Sequence, residues 1–467
     1  MKDRTGEWIR EQIKSFRVTW DQAPALPLSE WLTAETVARI LEEVQFTGRD
    51  RVYTPLVTLW VFLSQVLGED HSCREAVARL MAHRQACGAE AGSPDASPYC
   101  QARQRLPEEL FARLVRGTGK TLHDSVPQAW RFHGKQPKIV DGTTVSMPDT
   151  AANQLEYPQA RTQQAGLGFP IARLVGVMSL ASGAVLDMAI GPYKGKQTGE
   201  NSLFRTLWER LTPDDVMLAD RYDCSSTDIA QLQQRRVAVV FRKHQLRHSD
   251  FRCGQRLGPD DHLITWPKPK QCPDWMGPSE WQTLPDQITL REVRFVITGP
   301  GQRAKEVILI TTLLDSVEVP RQDLEDLYER RWDIEVNLRS LKSVMQMDVL
   351  RTKTPEMVRK EVWTHLLAYN LIRTAMAKAA EEHDLLPTQI SFKGTLQTLA
   401  AYRDLLFHGP LTADWFEQMM HAIASHVVGN RPNRYEPRAI KRRPKPHPLL
   451  QIPRAIARKR LPHKTYD

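Results

Sequence analysis

Cysteine is scarce in this chain: there are six in 467 residues. Cys73, Cys87, Cys100, Cys224, Cys253 and Cys272 form no C-x-x-C pair, which argues against a structural zinc site. So few thiols over this length fit a reducing compartment rather than a disulfide framework. Long apolar runs are missing too. None reaches the ~18 residues that a membrane-spanning helix needs. The N-terminal MKDRTGEWIREQIKSF has no apolar stretch of the kind a secretory signal carries. The expectation is a cytoplasmic protein with no membrane partner. No internal repeat is visible.

Acidic residues nearly vanish at the C-terminal end. From Arg431 onward come Arg434, Arg438, Lys441, Arg442, Arg443, Lys445, Arg454, Arg458, Lys459, Arg460 and Lys464, against only Glu436 and Asp467. Prolines at 432, 437, 444, 446, 448, 453 and 462 prevent a long helix there. That describes an extended basic tail and excludes an amphipathic membrane helix. The whole chain carries a net charge of +9 and a sequence pI of about 9.2. A basic balance favours a polyanionic partner such as nucleic acid. Hydrophobic content of 41% and charged content of 25% are those of an ordinary globular protein. At about 150 residues per domain, the length suits roughly three domains or one large domain with additions.

Residues 1 to 130 read as a helical N-terminal domain. Helices are expected over Pro55–Leu67 and Ser72–His83, with Ser72 as N-cap. Ser97-Pro98 reads as a cap with proline at the first helical position, and Pro107 restarts a helix through Arg116. Two short helices around a tight break, with Arg103 and Arg105 on the first, fit either a helix-turn-helix or a plain helical bundle. Then the pattern changes. Lys138–Met147, Leu174–Ala181 and Ala184–Ile190 read as strands, followed by a helix over Asn201–Leu211. Val216–Asp220 is a strand, Ser225–Arg235 a helix and Val237–Arg242 a strand. Three strands, helix, strand, helix, strand suggest an α/β core of the ribonuclease H type, an analogy of fold that by itself gives no function. Residues 245 to 314 look like a β-rich insertion into that core. Residues 315 to 410 return to it with helices, and 411 to 467 hold a last helix and the basic tail.

Phosphodiester cleavage needs an activated hydroxyl and a stabilised leaving oxygen. Two Mg2+ ions about 4 Å apart supply both. Such ions demand carboxylates converging from several elements. Asp141 ends the apolar start of the first strand, and Asp220 closes the fourth, where open α/β sheets gather their sites. Asp149, Asp214, Asp215 and Asp223 sit in turn-like contexts and read as structural. A third acid comes from the long helical pattern over Arg321–Met345. At about 100° per residue, Tyr328, Arg331, Glu335 and Lys342 share a strip about 60° wide and about 21 Å long. Leu327, Ile334, Leu338, Leu341 and Met345 form an apolar stripe beside it. Glu335 therefore belongs at the edge of a core.

Y-x2-R-x3-E-x6-K is met in full by Tyr328, Arg331, Glu335 and Lys342. With DGTTVSM around Asp141 and LADRYDCS around Asp220, residues 95 to 450 resemble the IS-four family of bacterial insertion-sequence transposases. The resemblance implies a DDE transposase with a ribonuclease H-like mixed-sheet core, a β-rich insertion and helical flanks. It implies that Asp141, Asp220 and Glu335 bind two Mg2+, with Mn2+ as a substitute. Tyr328, Arg331 and Lys342 would hold phosphates near the cleaved end. Arg242 and Lys243 resemble the family's basic strand end. Family members place a base-stacking Trp in the insertion. Trp266, Trp275 and Trp281 lie in that region, Trp266 first among them, with a packed core Trp as the alternative for each.

The expected function is cut-and-paste transposition. The protein would bind the terminal inverted repeats of double-stranded DNA, cleave them, pass through a hairpin and join a target as a homodimer. Its place would be the bacterial cytoplasm, on the nucleoid when bound. The rivals are a catalytically silent DNA-binding regulator and a nuclease that does not rejoin strands. A tyrosine recombinase fits less well, because Tyr328 shares its strip with an acid.

Overall fold

The computed structural model describes residues 32–48, 52–86, 88–90, 92–220, 224–297, 305–408, 414–428 and 450–460. The basic run from Arg431 to Lys445 lies outside them, as do Asp223 and the end from Leu461. The first elements are capped helices. Helix α1 is Ala34–Glu43, capped by Thr33, whose Oγ1 accepts the Thr36 N–H at 3.2 Å. Helix α2, Pro55–Val66, has Thr54 as its cap and proline in its first turn. Helix α3, Cys73–Ala86, has the Glu75 N–H bonded to Ser72 Oγ at 3.1 Å, as the sequence suggests. Helix α4 is Ser97–Arg105, but Ser97 lies inside it. Ala96 is the N-cap, and Asp95 takes the Ser97 N–H at 2.9 Å. Helix α5, Glu108–Asp124, runs two turns beyond Arg116 because its last turns are covered by the sheet.

That cover is close. Strand β1 is Gln136–Ser146, helix α6 Ala151–Glu156, strand β2 Ile171–Ser179 and strand β3 Val185–Pro192. A Cβ on Gly119 of α5 would fall within contact distance of the Val185 carbonyl of β3, so only glycine lets the helix lie this near the strand. The β2–β3 turn is made by Gly183 at φ +73°, a conformation that favours glycine.

The chain then alternates. Helix α7 is Glu200–Arg205, strand β4 Asp215–Ala219, helix α8 Ser226–Gln234 and strand β5 Ala238–Arg242. Strand β6 (Gln255–Gly258), strand β7 (Asp261–Pro267), helix α9 (Pro278–Thr283), strand β8 (Gln287–Ile297) and strand β9 (Lys305–Thr311) follow. All strands join one mixed sheet in the order β3-β2-β1-β4-β5-β9-β8-β7-β6. β1 runs parallel to β4, and β4 to β5; every other neighbouring pair is antiparallel. The β-rich segment after Lys243 therefore prolongs the sheet through β9 against β5 instead of forming a separate layer.

Side chains alternate across this sheet with period two. Ile139, Leu174, Leu218 and Val240 face one core, shared with Leu114 of α5 and Leu367 of helix α12, Pro355–Glu382. Val140, Val175, Met217 and Val239 face the other, with Leu203, Phe204 and Ile229 of α7 and α8. Burial on both faces explains why β4 is apolar throughout. Asn370 of α12 fastens the first side. It receives the Val185 N–H at 2.8 Å and donates to the carbonyls of Val185 at 2.9 Å and Val115 at 3.1 Å.

The segment from Arg321 to Met345 differs from the single helix expected. Helix α10 is Arg321–Glu329 and helix α11 is Trp332–Arg339, and a π-helical turn follows over Ser340–Val344. At the joint, Arg331 N–H bonds back to the Tyr328 carbonyl at 3.0 Å and Asp333 N–H to that of Arg330 at 2.9 Å, the tighter three-residue pattern. Helix α13 (Phe392–His408), helix α14 (Trp415–Ser425) and helix α15 (Arg454–Lys459) complete the chain. Among the described residues no helix is long and apolar enough to cross a membrane.

Candidate active site

The site begins in the pairing of β1 and β4. Their parallel register runs to Ile139 opposite Leu218. Two residues further along each strand stand Asp141 and Asp220, at the same height and on the same side as that pair. Burial of β1 lifts at this point: Val140 is buried and Asp141 to Thr144 are partly open. Asp220 is the first residue past β4, and its Oδ1 is buried with no hydrogen-bond partner among the described residues. Asp141 Oδ1 accepts the Gly142 N–H at 2.7 Å. Burial pushes the Asp141 carboxyl up to about 6. The Gly142 N–H and the Arg331 guanidinium pull it back, and the Glu200 and Glu335 carboxylates push it further.

Arg331 stands at the joint between α10 and α11, which turns its side chain inward. It is buried, and its Nη2 donates to Glu335 Oε1 at 3.3 Å, one turn on. Its guanidinium lies 4.8 Å from the Trp332 ring centroid and 5.8 Å from that of Tyr328. Glu335 is 48% exposed. Lys342 lies half-buried in the π-helical turn. The structure thus brings Asp141, Arg331 and Glu335 into one electrostatic neighbourhood, with Asp220 level with Asp141 on the neighbouring strand. It does not assemble a finished cage: among the described residues no three His, Cys, Asp or Glu side chains stand close enough to hold a metal ion.

Other expected contacts lie elsewhere. Tyr328 is only 3% exposed and sets its ring edge-on to Phe295 at 6.5 Å, so it offers no surface to a phosphate. Arg242 is buried at the end of β5. Lys243 is buried and bonded to Glu292 Oε1 and the His248 carbonyl, each at 2.5 Å. Glu292 also meets His262 Nε2 at 2.8 Å. That internal network, not DNA, is the partner of the Lys243 charge. Trp266 is 7% exposed and packs with Leu284 and Ile288 in the second core, with Arg247 3.8 Å over its ring. Arg103 is equally internal. It donates to Gln65 Oε1 at 2.9 Å and lies 4.8 Å over Phe62, so α4 does not present it to a groove, whereas Arg105 is exposed.

Two residues beside the site escaped the sequence reading. Trp332 is 47% exposed next to Arg331. Glu200, at the start of α7, lies across β1 at Gly142. A Cβ there would stand 2.5 Å from Glu200 Cδ and 2.7 Å from its Oε1. A glycine inside a strand is the available signal, because it marks a place where something approaches the backbone closely.

A family model described as the transposase DDE domain matches residues 133–371, more than half of the chain. The match opens just before β1, closes within α12 and encloses Asp141, Asp220 and Glu335. The chain belongs to this family. The transposase is 28% identical over 443 residues to Transposase InsG for insertion sequence element IS4 of Escherichia coli (strain K12), covering 91% of this chain and 94% of the relative. It is 22% identical over 391 residues to the transposase for insertion sequence element IS231C of Bacillus thuringiensis subsp. berliner, covering 74% and 78%. Near end-to-end similarity to the first relative places the transposase in the IS4 family of DDE enzymes. A solved structure titled as the piggyBac transposase synaptic complex with hairpin DNA covers 89% of this chain and 87% of its own. Its TM-score is 0.42 and its identity 11%, a likeness that carries no residue across.

Proposed function

We propose that this DNA transposase moves its element by cut-and-paste, through hydrolysis at the terminal inverted repeats, a hairpin and strand transfer by a homodimer, on a ribonuclease H-like core. The observation that carries the reading is the pair Asp141 and Asp220, level on adjacent parallel strands, with one buried acid oxygen lacking any donor. Oxygen donors of this kind suit Mg2+, or Mn2+ in its place. Asp141, Asp220 and Glu335 would hold the ions. When bound, such ions make a water or 3′-hydroxyl nucleophilic and stabilise the leaving oxygen.

The chain's own groups prepare that geometry. β1 and β4 fix two acids on a rigid sheet. α11 brings the third, which must turn from Arg331 to join them. Arg331 then has its guanidinium free for a phosphate beside the cut, and Lys342 lies further along the same element. Both position the backbone without reading its sequence. Tyr328 and Phe295 support Arg331 from within. Exposed Trp332 takes over from Trp266 as the surface on which a displaced base can stack.

The test uses the full-length protein, Mg2+ and DNA ending in the inverted repeat that flanks its gene. The expected products are free 3′-hydroxyl ends, then hairpin ends, then ends joined to a second duplex. Cleavage with no joined product would reduce the protein to a nuclease, and binding with no cleavage to a silent regulator.

A further inference from the structure

We propose that Glu200 is a fourth carboxylate of the metal site, bound on the Asp141 side and admitted there by Gly142. The inference rests on the reading of Asp141 and Asp220 as metal ligands and extends it to a residue outside the D, D, E set.

The argument is steric first. Glu200 is carried by α7, which packs against β1, β2 and β3. Its side chain does not lie along its own helix but crosses β1 immediately after Asp141. Cγ, Cδ and Oε1 of Glu200 lie 2.6, 2.5 and 2.7 Å from the position a Gly142 Cβ would take. No residue but glycine leaves room for it there. Gly142 has no other visible need to be glycine. It sits in regular strand pairing opposite Val175, with no positive φ.

Charge is the second part. Glu200 adds negative potential at Asp141, as Glu335 does from the other side. The cations facing this group are Arg331, bonded to Glu335, and Arg173 of β2. Arg173 Nε is 3.9 Å from Glu200 Oε1, beyond hydrogen-bond reach. Arg173 instead donates through Nη1 to the Thr198 carbonyl at 2.8 Å, which fixes the loop leading into α7, and it lies 5.0 Å from the Tyr193 ring. Glu200 is thus held in place by its loop while its carboxylate stays without a close donor from Arg173. Packing a second acid against Asp141 is unfavourable unless a cation is shared between them.

Mn2+ binding to the full-length protein, read by electron paramagnetic resonance without DNA, tests this. Glu200→Gln and Gly142→Ala are both expected to weaken binding at least ~10-fold, the scale seen when groups around a metal are removed. Gly142→Ala acts by displacing Glu200 with no change of charge. Thermal unfolding without metal shows whether each variant folds. Asp141→Asn is the control for the site itself. If Asp141→Asn abolishes Mn2+ binding while folded Glu200→Gln and Gly142→Ala bind as the wild type does, Glu200 is only the Arg173 partner and the proposal is overturned. If Asp141→Asn also binds normally, the metal site itself is wrong and the Glu200 assignment falls with it.

Discussion

Arg331 Nη2 donates to Glu335 Oε1 at 3.3 Å, so the transposase holds one acid of its site on a cation it must release for metal and DNA to enter. Removing the guanidinium separates the two roles. Arg331→Ala is expected to leave Mn2+ affinity unchanged or higher, because a repelling charge beside Asp141 is gone. Cleavage of end DNA should fall on the order of a hundredfold, the usual cost of a lost charge-stabilising donor. A metal titration paired with a cleavage assay checks both. Loss of Mn2+ affinity in this variant would contradict the arrangement.

The raised Asp141 carboxyl makes stability depend on pH in a defined direction. Without metal, the folded protein pays for ionising this group above pH ~6, and the cost vanishes as pH falls through the ordinary Asp value. Asp141→Asn should therefore stabilise the metal-free protein by about 1–2 kcal/mol at pH 8, allowing for partial exposure. It should add nothing near pH 3.5. Denaturant unfolding at the two pH values measures this. Mn2+ should reverse the order at pH 8 by stabilising only the wild type.

Trp266 and Trp332 are expected to fail in different ways. Trp266→Ala opens the second core and should cost about 3–5 kcal/mol of stability. Trp332→Ala removes an exposed ring and should change stability by less than about 0.5 kcal/mol. It should still lower cleavage of end DNA about tenfold if a base stacks there. Lys243→Met belongs with Trp266, because it strands Glu292 and should cost about 3–5 kcal/mol. Thermal melts beside cleavage rates sort the three.

Asn370 is the polar fastener of α5, β3 and α12. Asn370→Ala leaves buried Val185 groups unbonded and should cost at least about 2 kcal/mol. Calorimetry should show this as a lowered transition of the whole catalytic region rather than the loss of a detachable N-terminal unit.

The strands and two acids of the site were legible because their signals are local. Apolar alternation marks β1, and a short apolar run ending in an acid marks β4 and Asp220. The break at Arg331 was not legible. No Pro or Gly interrupts Arg321–Met345, and the apolar stripe continues across the joint. Only packing of Tyr328 against Phe295 and of Arg331 inward shows why the helix tightens there. Charge alone also misled. Lys243 and Arg103 look like DNA contacts until Glu292, 49 residues away, and Gln65, 38 residues away, are seen to take them. Glu200 lies on another element from Asp141, and only Gly142 hinted that something comes close.

The most direct measurement is cleavage of inverted-repeat DNA with Mg2+ by Asp141→Asn, Asp220→Asn and Glu335→Gln, alongside end binding by each. The expected result is loss of cleavage by at least ~10³-fold in all three with DNA binding retained. Wild-type cleavage by the Asp220→Asn protein would contradict the account at its centre.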